Sequence, residues 1–216
     1  MSILRINFKL TSVPLALFSL VSNTGCASKS PASDVDQAEY NIQIGSSAPV
    51  HGQALTLRNG AQVFHSPVGG GALSGGWENP GTLEETFAGT RIALSGKNIV
   101  PRTAQANWFS YQTQKYYTAQ IALSPDLPDL IKAHAKAFGE NTTEPALIFV
   151  LGPRGEIKSA LKSSCSYRYV CGRNKKVTVI GYGTGEETAG DPKVYLKGTI
   201  KRIREGRIQP IPGIEE

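Results

Sequence analysis

The chain has 216 residues, 40% of them hydrophobic and 19% charged, with 23 Gly and 13 Pro. That is ordinary, turn-rich globular composition with room for one core. The formal net charge is +6, and +4 once Arg5 and Lys9, the charges of the first 25 residues, are set aside. A mild excess of this kind suits solubility or contact with an acidic surface. As a net value it is not the strongly basic balance that would argue for a nucleic-acid binder.

Residues 1–25 read as a secretory signal. Arg5 and Lys9 form a basic start, and Leu10 to Val21 is a short apolar run interrupted by Pro14. The run is short for a transmembrane helix and suits a signal core. Small residues Thr24 and Gly25 precede Cys26. Gly25-Cys26 at this place is similar to a bacterial lipoprotein signal, in which the cysteine is acylated and becomes the new N-terminus. Buried acyl chains then hold the protein to the membrane at roughly 0.8 kcal/mol per methylene. Asn23 departs from the apolar or small residue of that pattern, and the other reading is a plain cleaved signal followed by an incidental cysteine. Ala27-Ser28 after the cysteine resemble the sorting pattern of outer-membrane lipoproteins. Residues 27–38 are small, polar and Pro-containing, the composition of a flexible tether.

Tyr40 to Ile44 alternate apolar and polar residues and predict a half-buried strand. Asn59-Gly60 between Leu55-Thr56-Leu57 and Gln62-Val63-Phe64 predicts a hairpin. The Gly-rich stretch Gly69 to Trp77 lacks the Lys-Ser/Thr ending of a phosphate loop and reads as a mobile or tightly turned loop. Thr82 to Phe87 suits a helical turn and Arg91 to Leu94 a short strand. Trp108 to Tyr117 then packs five aromatics into ten residues around Gln112-Thr113-Gln114. Aromatic side chains favour pleated, half-buried surfaces, so residues 104–122 are expected to form a hairpin on which the rest of the domain packs.

A helix follows over about 124–138. Ser124 is placed to cap it, with Pro125 at its first position. Leu127, Leu130, Ile131, His134 and Phe138 share one face, Lys132 and Lys136 point away, and Gly139 supplies the stop. His134 then reads as a satisfied core histidine. Ala146 to Leu151 is a continuous apolar run, a strand covered on both faces. Gly152-Pro153-Arg154-Gly155 is a turn, and Glu156–Leu161 and Val177–Ile180 continue an antiparallel ladder with the helix across it. Beyond Asp191-Pro192, Leu196, Ile200 and Ile203 would share a helix face ended by Gly206, whereas Gly198 and the β-branched residues argue for a strand; helix is favoured. Residues 208–216, with Pro210 and Pro212, should be an extended end.

Cys165 and Cys171 enclose five residues. In an exported chain this spacing reads as a disulfide across a loop. Free thiols are the competing reading; a metal pair would lack histidine at ligand spacing. Tyr167, Arg168, Tyr169 and Arg173, with Lys175 and Lys176, make this a basic, tyrosine-bearing loop, and Tyr and Arg are enriched where interfaces concentrate their energy. The chain has no Gly-x-Ser-x-Gly elbow and no His-Glu-x-x-His. His51, His65 and His134 lie in unrelated contexts. The pairs Glu84-Glu85 and Glu186-Glu187 read as solvated charge. Gly181-x-Gly183-x-Gly185 is a weak echo of a dinucleotide loop, with neither the third glycine nor the helix in place.

Trp108-Phe109-Ser110-Tyr111 followed by Lys115-Tyr116-Tyr117, the early strand from Tyr40, Gly76-Trp77, the Pro-started helix and the Gly-Pro-x-Gly turn together resemble a family of Gram-negative lipoproteins catalogued only as a domain of unknown function. The resemblance spans about residues 40–182. It implies a non-catalytic envelope lipoprotein similar to those encoded beside type VI secretion toxins, notably phospholipases, which act as immunity proteins. The expected fold is α+β and mostly β, an antiparallel sheet or sandwich of hairpins with one clear helix and a C-terminal one. The expected organisation is signal 1–25, tether 26–39, one domain over 40–207 and a tail over 208–216. The expected partners are the membrane, through Cys26, and a secreted protein toxin, with no cofactor, metal or nucleic acid. The alternative is an accessory outer-membrane lipoprotein without a toxin partner.

Overall fold

A computed structural model describes residues 36–66, 71–73, 90–172 and 174–214. The strands in chain order are β1 (Gln37–Ala38), β2 (Asn41–Ser46), β3 (Val50–Asn59), β4 (Gln62–His65), β5 (Gly71–Leu73), β6 (Thr90–Ile92), β7 (Asn98–Ile99), β8 (Thr103–Ser110) and β9 (Lys115–Ala122). Helix α1 (Leu127–Ala135) follows, then β10 (Ala146–Leu151), β11 (Glu156–Ser164), the short α2 (Arg168–Cys171), β12 (Lys175–Thr184), β13 (Glu186–Thr188) and α3 (Leu196–Arg204). The fold is α+β and mostly β, as expected. One sheet runs β12-β11-β10-β2-β6 and another β13-β9-β8-β3-β4, with β5 also on β3. Pairing is antiparallel except between β2 and β10, which run parallel.

The aromatic hairpin forms as predicted. Strands β8 and β9 pair from Thr103↔Ala122 to Ser110↔Lys115, with Gln114 at φ 56° in the connection. Alternation along the strands gives the hairpin two buried faces. Trp108 and Tyr117 enter the main core with Tyr40, Ile42, Leu57, Leu127, Ile131, Leu147, Phe149 and Ile157. Phe109 and Tyr116 face the other way, against Tyr195, Ile203 and Ile208. Trp108 is fully buried and its Nε1–H donates to the Gly152 carbonyl at 2.9 Å. Thr113 Oγ1 donates to the Pro153 carbonyl at 3.2 Å and accepts from the Tyr117 hydroxyl at 3.2 Å. The tip of one sheet's hairpin is thereby fixed to the β10–β11 turn of the other.

The Asn59-Gly60 turn closes β3 onto β4, with Gly60 at φ 56°. Strand β10 is buried at all six positions, as its unbroken apolar run requires. Strand β2 differs from expectation. It lies between β10 and β6 rather than at a solvated face, so five of its six residues are buried. One of them is Asn41, whose amide donates to Glu144 at 2.6 Å. Gly71–Leu73, expected as loop, are a strand pairing with Val50–Gly52. Arg91 falls in β6; Thr82–Phe87 lie outside the described residues.

Helix α1 starts later than its sequence signals suggest. Pro125 and Asp126 form a turn in which the Ser124 hydroxyl accepts from Asp126 N at 3.3 Å, and it is Pro128 that occupies the first helical turn. Both prolines lack an N–H that the first turn could not use, so either position is allowed. Leu127, Ile131 and His134 are buried and Lys132 and Lys136 exposed, as predicted.

The C-terminal segment is helical. The Asp191 carboxylate accepts from Lys193 N at 2.9 Å, a 3₁₀ turn spans Pro192–Tyr195, and α3 follows. Gly198 does not signal a strand: a Cβ there would meet the Tyr111 ring at 3.0 Å. Residues 208–214 carry no helix or strand, yet Ile208 is buried and Ile211 and Ile214 pack beside it on the aromatic cluster.

Glycines 181, 183 and 185 face β9. Cβ atoms there would meet the Ala122 carbonyl at 2.7 Å, Ile121 Cγ2 at 2.8 Å and the Thr118 carbonyl, respectively. The spacing reminiscent of a dinucleotide loop is a close-packing stripe where the two sheets abut. Replacing Gly185 with Ala drives a methyl into backbone that cannot yield easily, and should cost about 1–3 kcal/mol. Urea denaturation checks this.

Candidate functional site

The β11–β12 hairpin carries the candidate surface. It ends in the Cys165–Cys171 loop, where the two cysteines are disulfide-bonded with Cα atoms 6.1 Å apart. The loop is seated by its backbone: Cys165 N donates to Asn174 O at 3.2 Å, and Ser166 N to Asn141 O at 2.7 Å. Residues 168–171 wind into a single helical turn. A covalent ring and a helical turn hold the tip in few conformations, which lowers the entropy cost of using it as a contact.

Tyr167 and Tyr169, singled out in the sequence, both project into solvent, Tyr169 completely. Val170 beside them is also exposed. Lys175 and Lys176 are exposed at the base. The Arg168 side chain and all of Arg173 lie outside the described residues, as does Cys26.

Sequence reasoning missed the continuation of this surface along β12. Thr178 and Ile180 turn inward, so Val177 and Val179 turn outward. A bulge opposite Ser159/Ala160 then shifts the alternation and brings Tyr182 out, 79% exposed, opposite Lys158. Of the eight exposed large apolar side chains among the described residues, five (Tyr167, Tyr169, Val170, Val179 and Tyr182) belong to this one hairpin. Scattered exposed apolar groups are normal; their concentration on one element makes this hairpin the candidate surface. The run Val177 to Ile180 predicts a strand but not which face stays bare, because the bulge is not readable from residue types.

The surround is basic. Lys158 and Lys162 on β11 and Lys175 on β12 belong to the hairpin, and Lys162 has its pKa lowered by burial and by Lys175 and by Arg91, which lies on β6 at the far edge of the sheet.

The three histidines take different roles. His134 is fully buried and touches Thr178 Oγ1 at 2.9 Å and Ser163 Oγ at 3.2 Å. Burial, with Lys176 nearby, lowers its pKa to about 4. It is the satisfied core histidine its helix position predicts. His65 Nδ1 meets Thr56 Oγ1 at 3.1 Å at the surface. His51 stacks on Tyr195, 4.5 Å between ring centroids, and its pKa is lowered by burial and Arg202. Glu186 and Glu187 lie exposed on β13, and Glu187 pairs with Lys115 at 2.6 Å. Half-exposed, that pair contributes little.

Two measurements test these assignments. His134 is neutral in the fold and titrates near 6.5 when unfolded, so the unfolded chain binds the extra proton between those values. Its stabilisation is present above pH 6.5 and lost as pH falls towards about 4, on the order of 3 kcal/mol in all. Urea titrations across this window should show the loss, and His134→Gln should flatten the slope. Replacing both Cys165 and Cys171 with Ser should cost about 2 kcal/mol or less, since a small ring constrains the unfolded chain only modestly.

Residues 29–200 match a family described as "Protein of unknown function (DUF2931)". No curated protein and no solved structure matches the chain.

Proposed function

The chain belongs to the DUF2931 family of proteins of unknown function, and we propose that this member is an envelope lipoprotein that faces the periplasm and acts by binding, not by catalysis. On this reading Cys26 carries the lipid anchor in the outer membrane and residues 27–38 tether the folded domain. The partner is a secreted protein toxin, of the lipase type delivered by type VI secretion, whose active site the domain occludes.

The observation that carries the binding reading is the gathering of Tyr167, Tyr169, Val170, Val179 and Tyr182 on one disulfide-closed hairpin. Tyrosine offers a large amphipathic surface with two rotatable angles, and such side chains dominate interface energies. The hairpin stands on a strand, β10, that is buried throughout, so the surface is held rigidly. The choice of a toxin as partner comes from the chain's resemblance to lipoproteins encoded beside such toxins, an association and not a geometric argument. The absence of catalysis is supported by the state of the His134–Ser163 pair. Both residues are buried, and that burial, with Lys176 nearby, keeps the histidine neutral, with no carboxylate among its hydrogen-bond partners in the described residues to orient it as a base.

The test is a protection assay. The full chain, with its N-terminal segment, is expressed in a susceptible cell whose periplasm receives the toxin encoded beside its gene. Survival is expected, and it should disappear when residues 1–25 are deleted. Tyr169→Ala combined with Tyr182→Ala should weaken the complex on the order of 100-fold while leaving thermal stability unchanged. Failure to protect, with export verified, would reject immunity to that toxin. Cys26→Ser asks separately whether the anchor matters.

A further inference from the structure

The C-terminal helix carries a second surface of different chemistry. Residues 193–207 hold six Lys or Arg against one Glu, a net +5 in a chain whose total is +6. The charge is gathered in one short stretch of sequence, and the fold sets part of it on one face. Lys197, Lys201 and Arg204 fall at helical spacings of four and three, so they share one face of α3. Lys193, four residues before Lys197 on the preceding turn, continues the row. All four are exposed, while Thr199 and Ile203 on the opposite face are buried against the domain. At about 1.5 Å per residue the row from Lys197 to Arg204 runs about 10 Å along the helix.

The row is not consumed by internal pairing. Arg202 is taken up internally, donating to the Gly198 carbonyl at 3.0 Å and lying 3.7 Å from the Tyr111 ring centre. Glu205 lies within 3.8 Å of Lys201 and 3.2 Å of Arg207. Lys193, Lys197 and Arg204 make no ion pair with any described residue. Val194, 70% exposed, and Leu196 lie beside the row.

We propose that this face of α3 is a docking surface for the anionic phospholipid headgroups of a bilayer. A straight row of long, flexible cations on the outside of one helix matches a flat lattice of phosphates, which demands charge but no shape. Each cation near such a surface contributes about fivefold in affinity, and the attraction falls off within a Debye length. Exposed Val194 and Leu196 give the row an apolar margin for the headgroup boundary. A protein partner would instead call for rigid, shaped contacts of the kind the β11–β12 hairpin supplies. The proposal stands apart from the toxin reading and from lipidation of Cys26, since neither determines the charge on α3.

The test uses the full-length chain with vesicles of phosphatidylcholine alone or with about 30% phosphatidylglycerol, so that the apolar part of any N-terminal contribution is common to both. A water-soluble amine-acylating reagent is added and the rate at each lysine is read by mass spectrometry. Lys193, Lys197 and Lys201 should react about fivefold or more slowly on the anionic vesicles, with full rates restored at about 0.5 M salt, while Lys136 on α1 stays unchanged. In the triple variant K193Q/K197Q/R204Q, Lys201 should react at its neutral-vesicle rate. Equal rates on both vesicles would overturn the proposal. So would equal slowing of Lys136, or persistent protection of Lys201 in the variant. Protection by an acidic protein or by duplex DNA, with none from the vesicles, would overturn it too.

Discussion

The hydrogen bond from the Trp108 indole to the Gly152 carbonyl ties the two sheets together inside the core. The bond needs several things at once. Trp108 must face inward, which sets the register of β8 and β9 and sends Phe109 and Tyr116 to the opposite face. Gly152 must sit where the β10–β11 turn presents its carbonyl, and Thr113 and Tyr117 brace the same turn through Pro153. The turn itself is closed by Glu156, whose carboxylate accepts from Arg154 N at 2.7 Å. A buried donor left without an acceptor costs about 1–3 kcal/mol, so an alternative register of the hairpin is penalised twice, by the orphaned indole and by the misplaced aromatics.

The consequences spread in two directions. Phe109 and Tyr116 on the far face would be bare without the C-terminal segment. Tyr195, Ile203, Ile208, Ile211 and Ile214 close over them, which is why a Pro-containing tail without helix or strand is nonetheless packed. Closing that face with the inward side of α3 leaves its cationic side outward. On the other side of the bond, β10 and β11 are held rigidly and β11 carries β12. The glycine stripe of β12 lets it lie directly against β9, so its outward residues and the disulfide loop have no further element over them among the described residues. The free surface of this protein is what remains after the hairpin has organised everything else.

Much of this was legible in the residues. Five aromatics around Gln112-Thr113-Gln114 predict the hairpin, Asn59-Gly60 its neighbour, and the apolar run 146–151 a central strand, because period and turn chemistry are local. Where non-local packing decides, residue types mislead. Tyr40–Ile44 alternates like a half-solvated strand but lies inside a sheet. Gly198 looks like a helix breaker and is a contact for Tyr111. Ser124-Pro125 looks like a helix start, but the helix begins at Leu127 because a second proline three residues on serves equally well. At the candidate surface the disulfide and its tyrosines follow from cysteine spacing. Val179 and Tyr182 do not, since a bulge decides which way they point. The cationic row follows from helical period once α3 is taken as a helix.

On the proposed binding function, a rigid, hairpin-clamped platform presents the bare face of β11–β12 to the partner. Amide hydrogen exchange of the chain alone and with the neighbouring toxin tests both halves of that statement at once. Alone, the amides of β8, β9 and β10 should exchange slowest. With the toxin, new protection should fall on residues 165–182 and leave the core pattern unchanged. Fast exchange in the hairpin would contradict the clamp. Protection of some other face by a bound toxin would contradict the assignment of the surface.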